Sequence, residues 1–260
     1  MKVKIMKSLP MKRLASGNLL KTIAVISMII DHFGSIVMDG VIAPYQVNDM
    51  VYFTESMPFF VLHAFTVKSI CDILGSIAFP IFCFMIAEGF THTHDQVKYG
   101  LRVGLFALLS EIPFDLAHYQ QFFCFSLQNV MFTLCISIFT LLGISLIEKR
   151  CPDGKRLRIV LTVVVTAAGM GLAFLVRGEY VFIGVLVICL LYLLRNAGYL
   201  RMVAFAPMLI VSAWALLAVI PLLFYDGTRG KGSKYFFYYF YPAHFLLFAG
   251  LSYILSIRVI

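Results

Sequence analysis

Lys21 and His32 are ionisable residues inside the first long apolar run of the sequence. Their numbers differ by eleven, so on an α-helix they lie within about 20° of one face, with a rise of about 16.5 Å between them. That rise is about half of the ~30 Å hydrocarbon core of a bilayer. The spacing suits a donor shaped like acyl-coenzyme A, since Lys21 can hold a phosphate while His32 acts as general base. The alternative is that Lys21 only reaches the interface and His32 forms a structural interhelical hydrogen bond.

Further ionisable residues occur on this helix and in the second apolar run. Asp31 points about 100° away from His32 on a helix, so we expect it to contact another helix or the acceptor and to belong to the catalytic group. Glu88 and His92 are four residues apart and share a helix face. We expect this pair to line the donor's path, with Glu88 also within reach of the substrate. A metal site is disfavoured because the spacing matches no recognised set of metal ligands.

A pair of carboxylates marks the predicted acceptor end. Glu111 and Asp115 are four residues apart and share a face in the third apolar run. Two carboxylates on one face can hold the amine or ammonium group of an acceptor. They can equally pair with Arg177 or His118 in a structural role.

Several later residues complete the candidate site. Asn129 opens a predicted helix and can donate to a developing oxyanion, or it can cap and join helices. His244 is a second imidazole in the last apolar run and is assigned to the same catalytic group. The glycine-rich loop before it carries Arg229, Lys231 and Lys234, which suit phosphate, with a solvated turn as the alternative.

The elements that must position these residues are membrane helices. The 260 residues are 61% hydrophobic and only 13% charged, whereas soluble domains are about 45–50% apolar and about 25% charged. The apolar residues come in blocks of about 20, the length that crosses a bilayer. We therefore predict an all-α, polytopic transmembrane helical bundle of about eight spans, or nine to ten with re-entrant segments. It comprises a basic segment, 1–18, and a single transmembrane helical domain, 19–260.

The predicted spans follow the apolar runs. They are 19–38, 69–90, 99–118, 128–148, 158–176, 180–195, 202–224 and 236–257. The stretch 56–70 is apolar but short, so it is predicted to be an interfacial or re-entrant segment.

The net charge of +8 is assigned to loops on the cytoplasmic side of a membrane and not to nucleic-acid binding. The lysine-rich N-terminus is therefore placed in the cytoplasm. Counting spans from there puts the basic loop 225–235 outside, against the charge rule. Either one span is miscounted or the loop is basic because it binds phosphate.

In chain order, the motifs resemble those of the TraX family. They are I-x-x-I-x-M-I-x-D-H-x-G, A-F-P-I-F-x-F-x-I-A-E-G-F-x-H-T, S-E-I-P-F-D, Q-N-V, G-x-R-G and Y-P-A-H. TraX proteins are known as acetylases of the N-terminal amino group of F-type pilin. The spacing of Lys21 and His32 is also similar to the Arg/Lys-x10-His motif of transmembrane acyltransferase family 3, whose histidine is essential.

The resemblance implies a multi-pass protein of the bacterial cytoplasmic membrane that uses acetyl-coenzyme A. Its acceptor would be a pilin-like peptide or a small molecule with an amine or a hydroxyl. The resemblance implies that the following residues are functional: Asp31, His32, Glu88, His92, Glu111, Asp115, Asn129, Arg229 and His244. The sequence thus favours a membrane-integral acetyltransferase without a metal and without a nucleic-acid partner. A proton-coupled transporter and an assembly scaffold are the alternatives.

Overall fold

The computed structural model describes residues 14–47, 50–51, 59–231 and 236–259. The α-helices are α1 (Gly17–His32), α2 (Asp39–Ile42), α3 (Phe59–Gly75), α4 (Ala78–His92), α5 (Gln96–Tyr119), α6 (Val130–Arg150), α7 (Lys155–Val176), α8 (Val181–Leu193), α9 (Val219–Leu223) and α10 (Phe236–Val259). A π-helix covers Phe33–Met38, and 3₁₀-helices cover Ala43–Tyr45, Gly198–Ile210 and Ala213–Ala218. The strands β1 (Gln46–Val47) and β2 (Met50–Val51) form one short antiparallel pair.

The predicted all-α class is confirmed for the described residues, apart from the one short strand pair. Four stretches are long and apolar enough to cross a bilayer: Gly17–Ile42, Phe59–His92, Val130–Arg150 and Lys155–Val176. The helices α5 and α10 have 24 residues each but are not among these four stretches. A total of about eight spans therefore stays a prediction. On the outermost of the four stretches, α7, most large apolar side chains are exposed, as lipid-facing residues must be.

Helix α1 places Lys21 and His32 on one regular helix, as predicted. Ser16 caps its start, since its hydroxyl accepts a hydrogen bond from the amide of Leu19. The regular α-helix ends at His32, and a π-helical turn follows directly. Such turns are rare and frequently occur at functional sites.

The prediction of an interfacial or re-entrant segment at 56–70 was wrong for its described part. Residues 59–75 form α3, which continues into α4 as one interrupted stretch of 34 residues. The interruption lies at Ser76 and Ile77. Pro80 explains it, because a proline has no N–H to donate to the carbonyl four residues earlier, at Ser76. Residues 56–58 lie outside the described part of the chain.

The predicted single span at 202–224 was also wrong. Two segments, Gly198–Ile210 and 213–223, are separated by a break at Val211 and Ser212. Both outer ends lie at the end of the bundle where α1 begins, which we call the Lys21 end. At the first segment, Arg201 donates to the carbonyl of Leu191 and pairs with Glu88 of α4.

The second segment returns to the same end. The amide of Ala15 donates to the carbonyl of Phe224 at 3.1 Å, and Ala15 forms a bridge with Tyr225. The two segments pack on each other, and 213–218 packs on α4. Residues 198–223 thus form a re-entrant hairpin. The sequence analysis had predicted such a segment at 56–70 instead.

Because of this hairpin, the basic loop lies at the end of the bundle opposite to the predicted end. The amides of Gly17 and Asn18 donate to the carbonyls of Thr228 and Arg229, at 2.8 and 2.9 Å. Residues 225–231 therefore lie at the Lys21 end, beside the start of α1. A miscounted span, and not an exception to the charge rule, explains the conflict in the sequence.

Candidate functional site

A cavity of about 450 Å³ extends into the bundle from the Lys21 end. Three cations from different elements line it: Lys21 of α1, Arg102 of α5 and Arg229 of the loop after α9. Arg229 is exposed, while Lys21 and Arg102 are half-buried. The cations therefore surround an opening to the outside of the bundle, and Arg102 is one that the sequence reasoning missed.

The deeper wall of the cavity is apolar. It is formed mainly by methionine, branched aliphatic and aromatic side chains, including Val25, Met28, Met85, Met131 and Tyr241. Methionine adapts its shape to irregular occupants. A charged opening above an apolar shaft suits a molecule with an anionic head and a slender, less polar arm.

One face of α1 leads from the opening to His32. Lys21, Val25 and Met28 line the cavity, and His32 is next at the same helical spacing. The cavity lining thus reaches to one helical turn before His32. The imidazole is 6% exposed and lies beyond Met28.

His32 and His244 form a buried imidazole pair. Nδ1 of His32 lies 2.7 Å from Nε2 of His244, and Nδ1 of His244 lies 3.2 Å from the carbonyl oxygen of Phe240. A carbonyl only accepts, so Nδ1 of His244 carries the proton and Nε2 of this neutral ring accepts. Nδ1 of His32 must then be the donor, which leaves Nε2 of His32 with a free lone pair. The described residues offer that nitrogen no hydrogen-bond partner.

Aromatic rings enclose the pair. The Phe245 ring is fully buried, 4.6 Å from the ring of His32 and 4.2 Å from that of His244. The His118 ring approaches His32 edge-on with centroids 6.1 Å apart. Within the described residues its buried Nε2 has no hydrogen-bond partner. The sequence analysis named His118 only as a possible structural partner of the two carboxylates, although it lies seven residues after Glu111 on the same helix face.

Glu111 and Asp115 face the interior with one oxygen paired and one unpaired. Oε2 of Glu111 accepts from the side-chain amide of Asn129, and Oδ2 of Asp115 accepts from the amide of Cys124 at 2.8 Å. Oε1 of Glu111 and Oδ1 of Asp115 are buried, with no partner among the residues that the structure describes. Neither carboxylate pairs with Arg177 or His118 in this part of the chain. The unpaired oxygens are therefore available to a polar ligand.

Asn129 caps α6 and ties it to α5. Its Oδ1 accepts from the amide of Met131 at 3.0 Å, while Nδ2 donates to the carbonyl of Ala107 at 2.8 Å and to Glu111. Both amide protons are thus engaged. This geometry favours the structural alternative for Asn129.

Asp31 lies on the side of α1 that faces α3. A Cβ atom at Gly75 would overlap its carboxylate, so the glycine provides the space for Asp31. Asp72 and Lys68 of α3 are close enough to act on it electrostatically. Asp31 and His32 therefore point toward different neighbours, as their adjacent positions on a helix require.

Glu88 lines the cavity and is paired with a buried arginine. Arg201 of the re-entrant hairpin pairs with Glu88, and its guanidinium lies 4.5 Å from the centre of the Phe84 ring. Tyr225 lies beside this pair, and burial, reinforced by Glu88, raises the pKa of its hydroxyl above the usual range. Arg201 was placed in a loop by the sequence reasoning. A lone arginine next to an apolar run was the signal that could have found it.

The remaining predicted residues are His92, Lys231 and Lys234. His92 lines the cavity, and its Nδ1 lies 3.8 Å from Oε2 of Glu88. Lys231 is exposed and does not line the cavity. Lys234 lies outside the described residues. Within the described ranges, no group of three His, Cys, Asp or Glu side chains is placed to hold a metal ion.

Comparison with known proteins identifies the family. A family model described as TraX protein matches residues 16–252, so the chain belongs to the TraX family. A curated relative is named the probable fimbrial assembly protein FimC, serogroup H1, of Dichelobacter nodosus. It is 26% identical to this chain over 202 residues, which cover 67% of this chain and 79% of the relative. No solved structure is significantly similar.

Proposed function

We propose that this chain is a membrane-integral acyltransferase. It moves an acetyl or other short acyl group from acyl-coenzyme A to an amine or hydroxyl of an acceptor. The observation that carries the proposal is the imidazole pair, which leaves Nε2 of His32 as a free base one helical turn beyond a cavity with a cationic opening. Membership of the TraX family and a relative named for fimbrial assembly support a pilin-like peptide as one acceptor, beside small molecules of the envelope.

The donor is expected to bind from the Lys21 end. Lys21, Arg102 and Arg229 can neutralise its phosphates, because fixed cations beside backbone amides suit anionic oxygens. The apolar shaft then takes the pantetheine arm. The rise of about 16.5 Å along α1 brings the thioester toward His32. His92 and Glu88 line the same opening.

His32 is the proposed general base. The acceptor's nitrogen or oxygen attacks the thioester carbon as its proton passes to Nε2 of His32, and the carbonyl π electrons move to oxygen. When the carbonyl re-forms, the C–S bond breaks and the coenzyme A thiolate leaves, taking the proton from His32. His244 holds the reactive tautomer, and neither an oxidant nor a further reactant is needed.

The acceptor is expected to approach from the side of α5 that carries Glu111 and Asp115. Their unpaired oxygens can accept hydrogen bonds from its polar end. Asp31 takes an indirect part, since it lies against α3.

The proposed location is the bacterial cytoplasmic membrane, with the Lys21 end in the cytoplasm. The cations of the basic loop and those at both ends of the α6–α7 connection lie at that end, as the positive-inside rule requires of a cytoplasmic side. Helices α5, α8 and α10 would join the four long apolar stretches in crossing the bilayer. The re-entrant hairpin would lower the total below the predicted eight.

A binding experiment tests the donor site. Calorimetry in detergent compares acetyl-coenzyme A with acetyl-pantetheine, which lacks the nucleotide phosphates. We expect Lys21→Ala to weaken acetyl-coenzyme A binding at least tenfold and to leave acetyl-pantetheine binding unchanged. Lys98→Ala is the matched control, because Lys98 lies near the same end but is 79% exposed and paired with Asp95. Equal weakening by both variants would contradict the assignment.

A transfer experiment tests the chemistry. Purified protein is incubated with acetyl-coenzyme A and a synthetic peptide with a free N-terminus, and thiol release and peptide mass are followed. His32→Ala should lose activity while retaining donor binding, whereas the exposed His63→Ala should match the wild type. Uptake of solute by proteoliposomes without any acyl donor, combined with no transfer, would favour the transporter instead.

A further inference from the structure

Tyr241 of α10 lies between the cavity and the imidazole pair. Its side chain lines the cavity and is 6% exposed. On its other side, its ring is 5.5 Å from that of His244 and 5.2 Å from that of Phe245. A group that moved from the cavity toward His32 would therefore pass the Tyr241 side chain.

The Tyr241 hydroxyl has an unused proton. It is buried, and no group in the described part of the chain forms a hydrogen bond with it. The backbone amide of Val130, the first residue of α6, approaches its oxygen. An amide can only donate there, so the hydroxyl proton still lacks an acceptor. A buried donor without a partner is destabilising, and such groups are rare enough to require an explanation.

Asn129 and His244, the two other predicted catalytic residues that could donate to an oxyanion, have no free N–H. Both side-chain amide protons of Asn129 are engaged by Ala107 and Glu111. His244 uses Nδ1 as a donor to Phe240 and Nε2 as the acceptor from His32. The residues that the sequence nominated for this role are thus occupied.

We propose that Tyr241 is a catalytic residue that donates a hydrogen bond to the oxyanion of the tetrahedral intermediate. The inference rests on the proposed acyl transfer and adds one hydrogen-bond donor to its catalytic group. As the acceptor bonds to the thioester carbon and the carbonyl π electrons move to oxygen, the Tyr241 O–H stabilises that oxygen. The proton stays on Tyr241, since His32 accepts the proton of the acceptor. The amide of Val130, at the N-terminus of α6, approaches the same Tyr241 oxygen.

The test is Tyr241→Phe, which removes one oxygen atom and retains the ring. Removal of an oxyanion donor typically lowers kcat by about 10²–10³, so we expect a fall of about 100-fold with an unchanged KM for acetyl-coenzyme A. Thermal stability should be equal or slightly higher, because an unpaired buried hydroxyl disappears. Tyr239→Phe is the matched control, since Tyr239 lies on the same helix but is 65% exposed.

The outcomes separate this inference from the proposed function. Transfer by the wild type with full activity of Tyr241→Phe would overturn the oxyanion role alone. A fall in activity that follows a fall in thermal stability, or that appears as a raised KM, would also overturn it, because it indicates packing or binding. Absence of transfer by the wild type would overturn both proposals.

Discussion

Nδ1 of His32 lies 2.7 Å from Nε2 of His244, although the two residues are 212 positions apart in the chain. The contact joins α1, which carries the cavity face, to α10, which closes the cavity. It also fixes the tautomer of His32, since the second nitrogen of His244 donates to Phe240. The tautomer of His32 is therefore a property of the folded bundle and not of α1 alone.

The first prediction concerns this pair. In His244→Ala, Nδ1 of His32 loses its acceptor, so kcat should fall about 100-fold at unchanged donor affinity. His244→Gln should retain more activity, because the amide oxygen can still accept from His32. Steady-state transfer of acetyl groups measures both, with the exposed His94→Ala as control. Full activity of His244→Ala would remove the tautomer argument.

The second prediction concerns the buried ion pair of Glu88 and Arg201, whose side chains are 13% and 8% exposed. Arg201→Met leaves a buried carboxylate without its counter-charge, and such losses cost about 3–5 kcal/mol. Combining it with Glu88→Gln should recover much of the stability. Unfolding in mixed micelles provides the measurement.

Arg195→Met is the control for that experiment. Arg195 pairs with Glu148 at 2.8 Å, but both side chains are more than a quarter exposed. Exposed pairs contribute about 0–1 kcal/mol. Similar losses for Arg195→Met and Arg201→Met would show that burial does not determine the effect.

The third prediction concerns Gly75. A methyl group there would overlap the Asp31 carboxylate, so Gly75→Ala should force α1 and α3 apart and lower stability by about 1–3 kcal/mol. Gly171→Ala on α7 meets no atom within 4 Å and should be neutral or slightly stabilising. Thermal unfolding of both variants in detergent decides the matter. An unaffected Gly75→Ala would mean that Asp31 can move aside freely.

The fourth prediction concerns topology. In a cysteine-free background, Lys231→Cys should react with a membrane-impermeant maleimide only from the cytoplasmic side. Gln121→Cys, in the exposed connection between α5 and α6 at the opposite end, should react only from the outer side. Labelling of both positions from one side would contradict the re-entrant hairpin in the membrane.

Local features of the sequence predicted local structure well. The helical spacing from Lys21 to His32 is present in α1, because an uninterrupted apolar run gives a regular helix. The spacing of Glu111 and Asp115 likewise placed both on the face of α5 that turns inward. Such predictions need only helix geometry.

The path of the chain could not be predicted from hydropathy. Residues 198–223 contain enough apolar length for one span, and hydropathy does not show whether the backbone turns back at Val211 and Ser212. The misplaced charges of Arg229 and Lys231 were the available signal. Long-range partners such as His32 with His244, or Glu88 with Arg201, depend on which helices are neighbours, and one sequence does not supply this.

The aromatic layer around His32 has a consequence for the energy supply of a cell. The cavity approaches from one end, and the unpaired carboxylate oxygens of α5 lie toward the other. Phe114, Tyr241 and Phe245, all 6% exposed or less, fill the space between them. In a bilayer, these rings would interrupt any continuous file of water, so the proposed proton transfer at His32 would not short-circuit the proton-motive force.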